Sequence, residues 1–351
     1  MAEHSAPVLP VGVTCEPAEV LIETGRDRCE SSGRTARAAM KYLLLLAAFF
    51  SLATLHAPQA RAVEVVVSIK PVHSLVAAVM GKTGKPRLLL GGDVSPHTYP
   101  LRPSEARALT GADFVVWIGR NFEKFLDRPI AGLGSGARVQ TLRDAAGMRL
   151  LPARGGGIWE AGRSRVHVDE TEEPGHDHSG FDMHIWLDPA NARRIVEVVA
   201  ESLVRIDPGR TDTYRKNAAA TRKRIAALEE SLRTQLEPVR RRAFIVFHDA
   251  FQYFEFAFGL NSKGAIAVDP AQPPGARRLA ELRAALADYN IGCVFSEPQF
   301  EPDLVRTVVE GTRIRTGTLD PLGFGVEPGP GAWFAIMRGL GNAVAECLGR
   351  P

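Results

Sequence analysis

The chain has 351 residues, of which 45% are hydrophobic, and its 43 basic and 40 acidic residues leave a formal net charge of +3. This length and hydrophobic content allow two domains of ordinary size, each with a packed core. Because basic and acidic residues nearly balance and no dense stripe of Lys and Arg occurs, the composition argues against a nucleic-acid-binding protein.

The N-terminal part of the sequence has the pattern of a secretory signal peptide. Segment 40–62 starts with a basic residue beside Met40, continues with 14 uncharged residues and ends in a small-x-small pattern. The uncharged stretch is shorter than the ~20 residues that a transmembrane helix needs, so we expect a cleaved signal rather than an anchor. We interpret residues 1–39 as an artefactual upstream extension. Since no cysteine stands directly after the signal to carry a lipid, we expect a soluble periplasmic protein.

Two of the four cysteines precede position 62, which leaves Cys293 and Cys347 in the predicted mature chain. Two cysteines in an oxidising compartment favour a disulfide. It would close a loop of about 50 residues and stabilise the fold by roughly 4 kcal/mol on the chain-entropy model. A pair of buried thiols is the alternative.

Short apolar runs alternate with helical patterns after the signal. Strands are predicted at 64–69, 87–91 and 113–119, with helices at 72–80 and 104–112 between them. Such β-α-β alternation predicts a mostly parallel sheet covered by helices.

A long segment with few apolar residues, 143–182, interrupts this alternation and is predicted to be a functional or disordered loop. Helical periodicity resumes at 189–206 and continues in a highly charged helix at 211–237. The alternation then restarts, with predicted strands at 243–247, 264–268, 293–297 and 313–319 and a final helix at 332–347.

These elements predict an α/β protein with two lobes, each a mostly parallel sheet flanked by helices, bridged by a long rigid helix. Residues 63–188 are assigned to the N-terminal lobe, including an acidic, histidine-containing loop at 165–183. Residues 189–207 are assigned to the bridging helix and residues 208–351 to the C-terminal lobe.

Candidate metal ligands lie near the ends of predicted strands. His97 lies in the loop after the second strand, His248 and Asp320 directly follow later strands, and His184 precedes the predicted bridging helix. Ligands of open α/β sheets bind beyond the carboxyl ends of the strands, so we expect these side chains to face one crevice. Three imidazoles and a carboxylate suit Zn²⁺, whereas Mn²⁺ favours more oxygen and Cu⁺ favours sulfur.

Spacing alone does not establish this site, because the four residues are 64 to 87 positions apart. A single histidine in a loop is more often a surface or hydrogen-bonded group than a ligand. Asp320 before Pro321 is also compatible with a simple turn.

The loop at 165–183 carries His167, His176 and His178 among several carboxylates. A short tract rich in histidine and carboxylate side chains favours a metal-collecting segment. An ordinary acidic loop in contact with solvent explains the same composition, so both interpretations stay open.

The chain resembles the cluster A-I solute-binding proteins of ABC importers, in particular the zinc-specific ZnuA type. Motifs in the same order along the predicted mature chain carry the resemblance, namely SIKPVHSLVAAVMG, PHTYPLRPSEARAL, ADFVVWIG, DMHIWLDP, FIVFHDAFQYFEFAFGL, CVFSEPQF and GTLDPLG. By this resemblance, the metal is bound by His97, His184 and His248, with Asp320 nearby. The resemblance also implies that the acidic loop lies near the site and that the two remaining cysteines pair.

Two features depart from the family pattern. Pro96 precedes the first histidine, where zinc-specific members often have a glutamate, and the histidine loop is much shorter than in strongly histidine-loaded relatives. In manganese-type relatives a glutamate replaces the third histidine, so His248 favours zinc.

The resemblance predicts a monomeric carrier without enzymatic activity, which captures Zn²⁺ between its lobes and delivers it to a membrane permease. A manganese-binding or adhesin-like relative of the same fold is the nearest alternative. A zinc hydrolase is another, with Asp249 or Glu297 as a nominal general base. However, the chain has no H-E-x-x-H or comparably compact motif.

Overall fold

The computed structural model describes residues 61–91, 94–134, 136–154, 158, 180–267, 274–300 and 303–349. The predicted upstream extension and nearly all of the predicted signal peptide lie outside the described residues, and so do His167, His176 and His178. Within the described ranges, no helix is both long and apolar enough to cross a bilayer.

The first sheet contains four parallel strands in the order β2–β1–β3–β4. They are β1 (Val65–Ile69), β2 (Arg87–Leu90), β3 (Phe114–Trp117) and β4 (Arg138–Thr141). Every residue of the two central strands, β1 and β3, is buried. Burial on both faces is typical of parallel sheets and explains why these strands appear in the sequence as continuous apolar runs.

The edge strand β4 was not predicted from the sequence. Its segment RVQT is half-buried to exposed, and Val139 is its one strongly apolar residue. Pairing with β3 therefore determines this strand, rather than any local apolar pattern.

The second sheet has the same arrangement, with four parallel strands in the order β6–β5–β7–β8. They are β5 (Ala243–His248), β6 (Asn261–Ala267), β7 (Cys293–Ser296) and β8 (Arg315–Thr318). Two parallel sheets flanked by helices confirm the predicted α/β class with two lobes.

Helices follow most strands and cover the sheets. They are α1 (Lys70–Met80), α2 (Pro103–Thr110), α3 (Asp127–Ala131), α4 (Pro189–Ile206), α5 (Thr211–Leu236), α6 (Gln252–Phe258), α7 (Ala276–Asp288), α8 (Asp303–Val309) and α9 (Ala332–Gly349). Helix α4 begins where it does because Asp188 accepts a hydrogen bond from the backbone N–H of Ala190 at 2.7 Å, and Pro189 suits the first helical position.

Two long helices, α4 and α5, connect the two sheets. Helix α5 packs against α1, α4 and α9. Its buried side chains recur every three or four residues and form one stripe, while its many charged residues face solvent. Side chains from both sheets and from these helices belong to one hydrophobic cluster, for example Val67, Leu203, Ile225, Phe244 and Trp333. The lobes therefore share a core, as a rigid connection between them requires.

A disulfide joins Cys293 of β7 to Cys347 of α9, with a Cα–Cα distance of 6.1 Å. Both residues are buried. The predicted pairing is confirmed, and the alternative of two buried thiols is excluded. The bond attaches the C-terminal helix to the centre of the second sheet.

We expect the double substitution Cys293→Ala and Cys347→Ala to lower the free energy of unfolding by about 4 kcal/mol. The bond spans 54 residues, and without it the unfolded chain regains the corresponding loop entropy. Urea unfolding of residues 63–351, with and without a reductant, measures the change. Reductant should destabilise the wild type and leave the double variant unchanged; equal sensitivity in both would contradict the assignment.

Candidate metal site

Three histidines from separate parts of the chain meet near the carboxyl ends of the strands. His248 is the last residue of β5, His97 lies in the loop after β2, and His184 lies shortly before α4. One ring nitrogen from each lies within 4.8 Å of the other two. The ring centroids of His184 and His248 are 5.3 Å apart, and that of His97 lies 5.9 and 6.0 Å from them. Three of the four side chains predicted from the sequence are thus brought together.

The three rings surround a cavity of about 10 Å³, which is the volume of one water-sized sphere. His184 and His248 are only 8% and 6% exposed, whereas His97 is half-buried. Phe122 lies edge-on to His97 and His184, with centroid distances of 5.1 and 5.3 Å. Such a space, walled by aromatic rings, suits a single ion with few waters.

Asp182 orients His184 through two hydrogen bonds to one carboxylate oxygen. The backbone N–H of His184 donates to Oδ1 of Asp182 at 2.9 Å, and the ring Nδ1 lies 2.7 Å from the same atom. Because Nδ1 is engaged in this way, Nε2 is the ring nitrogen that can bind another group.

Glu297 orients His248 in the same manner from the neighbouring strand. Its Oε1 lies 2.5 Å from Nδ1 of His248 and accepts a hydrogen bond of 3.3 Å from the backbone N–H of that residue. Nε2 of His248 is buried and has no hydrogen-bond partner. Buried polar atoms are rarely left unpaired in folded proteins, so this nitrogen is available to a ligand in the cavity.

Burial and neighbouring charges shift the pKa values of these groups in different directions. The pKa of His184 is lowered well below 6.5 by burial and then by the adjacent positive charge of His248. Burial also lowers the pKa of His248, but Glu297, Asp249 and Asp182 together outweigh it and the net shift is upward. Burial raises the pKa of Asp182 to about 7. A cation among these rings would favour neutral imidazoles and ionised carboxylates, so its binding should displace protons.

Asp320, the fourth predicted ligand, is not a member of the three-histidine group. Its Oδ1 accepts hydrogen bonds from the backbone N–H groups of Leu322 and Gly323, at 3.2 and 2.8 Å, and from the side chain of Gln299 at 3.0 Å. It therefore organises the turn that follows β8. Leu322 and Pro321 of this turn line the histidine cavity, so Asp320 lies close to the site.

The orienting role of Asp182 and Glu297 was not recognised in the sequence. Asp182 lies two positions before His184, which is a local signal that sequence analysis could have used. Glu297 directly follows β7, and His248 is the last residue of β5. Only the pairing of β5 with β7 shows that these two side chains meet.

A network of buried polar groups holds the segment that carries Asp182. The hydroxyl of Tyr253 donates to the backbone oxygen of Asp182 at 2.8 Å and accepts from the backbone N–H of Leu151 at 3.0 Å. Nearby, Arg154 pairs with Asp249 and with Glu255, the latter at 2.6 Å. Since Tyr253 and Glu255 lie in α6 and Asp249 directly follows β5, these bonds attach the segment to the second sheet and its helix.

We expect Tyr253→Phe to lower the free energy of unfolding by about 1–3 kcal/mol, because it leaves the buried carbonyl of Asp182 and the half-buried N–H of Leu151 without this partner. Tyr253 is fully buried, whereas Tyr289 is 36% exposed. Tyr289→Phe is therefore the matched control and should change the stability little. Urea denaturation of both variants provides the measurement, and equal effects would contradict the role given to the Tyr253 hydroxyl.

Two parallel-sheet lobes with a shared core, and three histidines grouped near the strand ends, are the features expected of a solute-binding protein that holds a metal ion. The family model named ZnuA, described as "Zinc-uptake complex component A periplasmic", matches residues 65–347. The chain belongs to this family, which confirms the resemblance found in its motifs.

Relatives named "High-affinity zinc uptake system protein ZnuA" are similar over most of the chain. The protein from Brucella suis biovar 1 is 43% identical over 306 residues, covering 82% of this chain and 92% of the relative. The protein from Paracoccus denitrificans is 38% identical over 319 residues, covering 87% of this chain and 98% of the relative.

Solved structures show the same fold. A structure titled "Crystal structure of ZnuA" is 25% identical and aligns with a TM-score of 0.68 over 82% of this chain and all of that one. The periplasmic zinc binding protein TroA from Treponema pallidum also aligns with a TM-score of 0.68, at 20% identity, over 83% of this chain and all of its own. The second likeness concerns the fold alone.

Proposed function

We propose that the chain is the zinc-binding component of an ABC-type zinc uptake system, which captures Zn²⁺ between its lobes and delivers it to a membrane permease. Family membership and the zinc uptake proteins among its relatives support this function. The observation that carries it is the unpaired, buried Nε2 of His248, which lies among three imidazoles whose nitrogens are within 4.8 Å.

His97, His184 and His248 are the proposed zinc ligands. Neutral imidazoles are preferred donors for Zn²⁺, which takes four ligands in a tetrahedral arrangement. Three nitrogens around a cavity the size of a single ion fit this requirement and leave one position for a water or for Asp320. Position 96 is a proline and offers no carboxylate, so the proposed nitrogen ligands are the three histidines alone.

The proposed role is binding and release without bond-breaking chemistry. A zinc hydrolase needs a general base that can take a proton from zinc-bound water. The two acids nominated for this role are both engaged elsewhere, since Asp249 pairs with Arg154 and Glu297 with His248. This arrangement supports a carrier, in which the site only has to hold the ion.

Export to the periplasm, docking to a permease and a monomeric state complete the proposal. The family description and the signal pattern at 40–62 support the location. A metal-collecting role for His167, His176 and His178 stays a prediction from their composition, as does the assignment of the chain to lobes at 63–188 and 208–351.

Calorimetric titration of metal-stripped residues 63–351 is expected to show one tight Zn²⁺ site and weaker binding of Mn²⁺. The triple variant His97→Ala, His184→Ala and His248→Ala should lose that site, because it removes every proposed nitrogen donor. His73→Ala is the matched control, since His73 is also buried but bonds to the carbonyl oxygen of Pro86 at 2.9 Å. Zinc binding that survives in the triple variant, or tighter binding of Mn²⁺, would contradict the proposal.

Zinc affinity is expected to fall as the pH drops below neutral. The pKa of His248 lies above 6.5, so its ring gains a proton as the pH falls through that raised value, whereas zinc needs the neutral ring. The lowered pKa of His184 delays its own protonation to more acid pH. At pH values below the pKa of His248, zinc has to displace one proton from this ring. The zinc affinity should then fall about tenfold for each pH unit.

Calorimetry at neutral and mildly acid pH, in buffers of different ionisation enthalpy, measures both the affinity and the protons released. An affinity that is constant over this range, with no proton release, would exclude imidazoles as the ligands.

A further inference from the structure

The two buried carboxylates beside the histidines make the same unusual contact. In each case a single carboxylate oxygen lies within hydrogen-bond distance of both the backbone N–H and the ring Nδ1 of one histidine, Asp182 with His184 and Glu297 with His248. Such a double contact restrains the backbone and the ring of the histidine together. The repeated geometry indicates one function for both acids.

The two pairs arise from unrelated parts of the fold. Asp182 is two residues from its histidine, so the pair is a local turn. Glu297 is 49 residues from His248 in the sequence. Residues that lie opposite one another in β5 and β7, such as Phe244 and Cys293, are separated by the same number of residues. The register of two central strands therefore places this acid beside its histidine.

A carboxylate at Nδ1 decides which ring nitrogen carries the proton. Either nitrogen of a neutral histidine can be protonated, and an acceptor at Nδ1 holds the proton there. Nε2 is then unprotonated and has the lone pair that a metal ion needs. In His248 this Nε2 is the buried atom without a hydrogen-bond partner.

The charges of the acids also suit a cation. Asp182 and Glu297 are 7% and 3% exposed, and their second oxygens, Oδ2 and Oε2, are buried without hydrogen-bond partners. Buried charges are stable only when they are compensated. A cation held by the two histidines would lie close to both acids and would favour their ionised forms.

We propose that Asp182 and Glu297 are positioning residues that hold His184 and His248 in the Nδ1–H form, so that both present Nε2 to a divalent ion, and that this orientation sets the strength of zinc binding. The proposal rests on the proposed function of the site. Neither acid belongs to the group of described side chains whose ligand atoms lie within 4.8 Å of one another, and each acts through its histidine.

Glu297→Met and Glu297→Gln test the proposal, because methionine has no acceptor oxygen at this position and glutamine keeps one. The histidine tautomers are read from ¹⁵N chemical shifts of the metal-free protein at a pH where the rings are neutral. We expect Nδ1–H for both inner histidines in the wild type. Glu297→Met should change His248 alone, with His184 as the internal reference, and Glu297→Gln should restore Nδ1–H at least in part.

Zinc dissociation constants of the same proteins complete the test. We expect Glu297→Met to weaken binding about 10–100-fold and Glu297→Gln to weaken it less. Glu123→Gln is the control, since Glu123 is also fully buried and accepts two backbone N–H groups, from Ile118 and Gly119, but has no histidine partner. This control should keep both tautomers and the zinc affinity of the wild type.

An unchanged His248 tautomer in Glu297→Met would overturn the proposal, and so would a changed tautomer with wild-type zinc affinity. If the wild type itself bound no zinc, the proposed function would fail instead. Because the tautomers are measured without metal, a failure to bind zinc can be told apart from a failure of the positioning role.

Discussion

Burial of imidazole rings is the constraint on which this site depends. An imidazole has two nitrogens, and each needs a partner when water is excluded. Around His184 and His248, aromatic side chains such as Phe122 and Trp186 remove water, and one acid engages each Nδ1. The remaining nitrogens converge on a space for one ion. Metal binding therefore completes the hydrogen-bonding needs of a buried polar group rather than adding a ligand to a solvated surface.

Convergence of side chains from two lobes requires that the lobes keep a fixed relation. The common core through α5 provides most of this restraint, and hydrogen bonds across the two halves add to it. The indole N–H of Trp186 donates to the carbonyl oxygen of Pro321 at 2.9 Å. The ammonium group of Lys70 donates to the carbonyl oxygen of Gly323 at 2.5 Å. Both bonds hold the turn that lines the site. A shared core opposes large opening motions, because separating the lobes would expose apolar surface to water.

Such rigidity must coexist with release of the ion. A site that combines neutral histidines with buried acids can exchange protons for metal, because both sets of groups change protonation when the cation leaves. Burial raises the pKa of Asp182 to about 7, and the pKa of His248 is also raised above its usual value by neighbouring carboxylates.

Much of the fold could be predicted from the sequence, because local patterns report local structure. The continuous apolar runs of the central strands and the three- to four-residue stripe of α5 follow from burial, and both appear directly in the residue order. The edge strand β4 lacks such a pattern, and its pairing with β3 alone defines it. The candidate histidines could be named from their positions near strand ends and from family motifs, but their spacing of 64 to 87 residues contained no proof that they meet.

The sequence by itself determined the α/β class, the chemistry of nitrogen donors suited to zinc, and the availability of two cysteines for a disulfide. Only the tertiary structure decided that three histidines share one cavity, that Asp320 supports a turn beside them, and that Glu297 meets His248. These outcomes depend on strand register and on the packing of one lobe against the other. Both are contacts between residues far apart in the chain, which no local period in the sequence can encode.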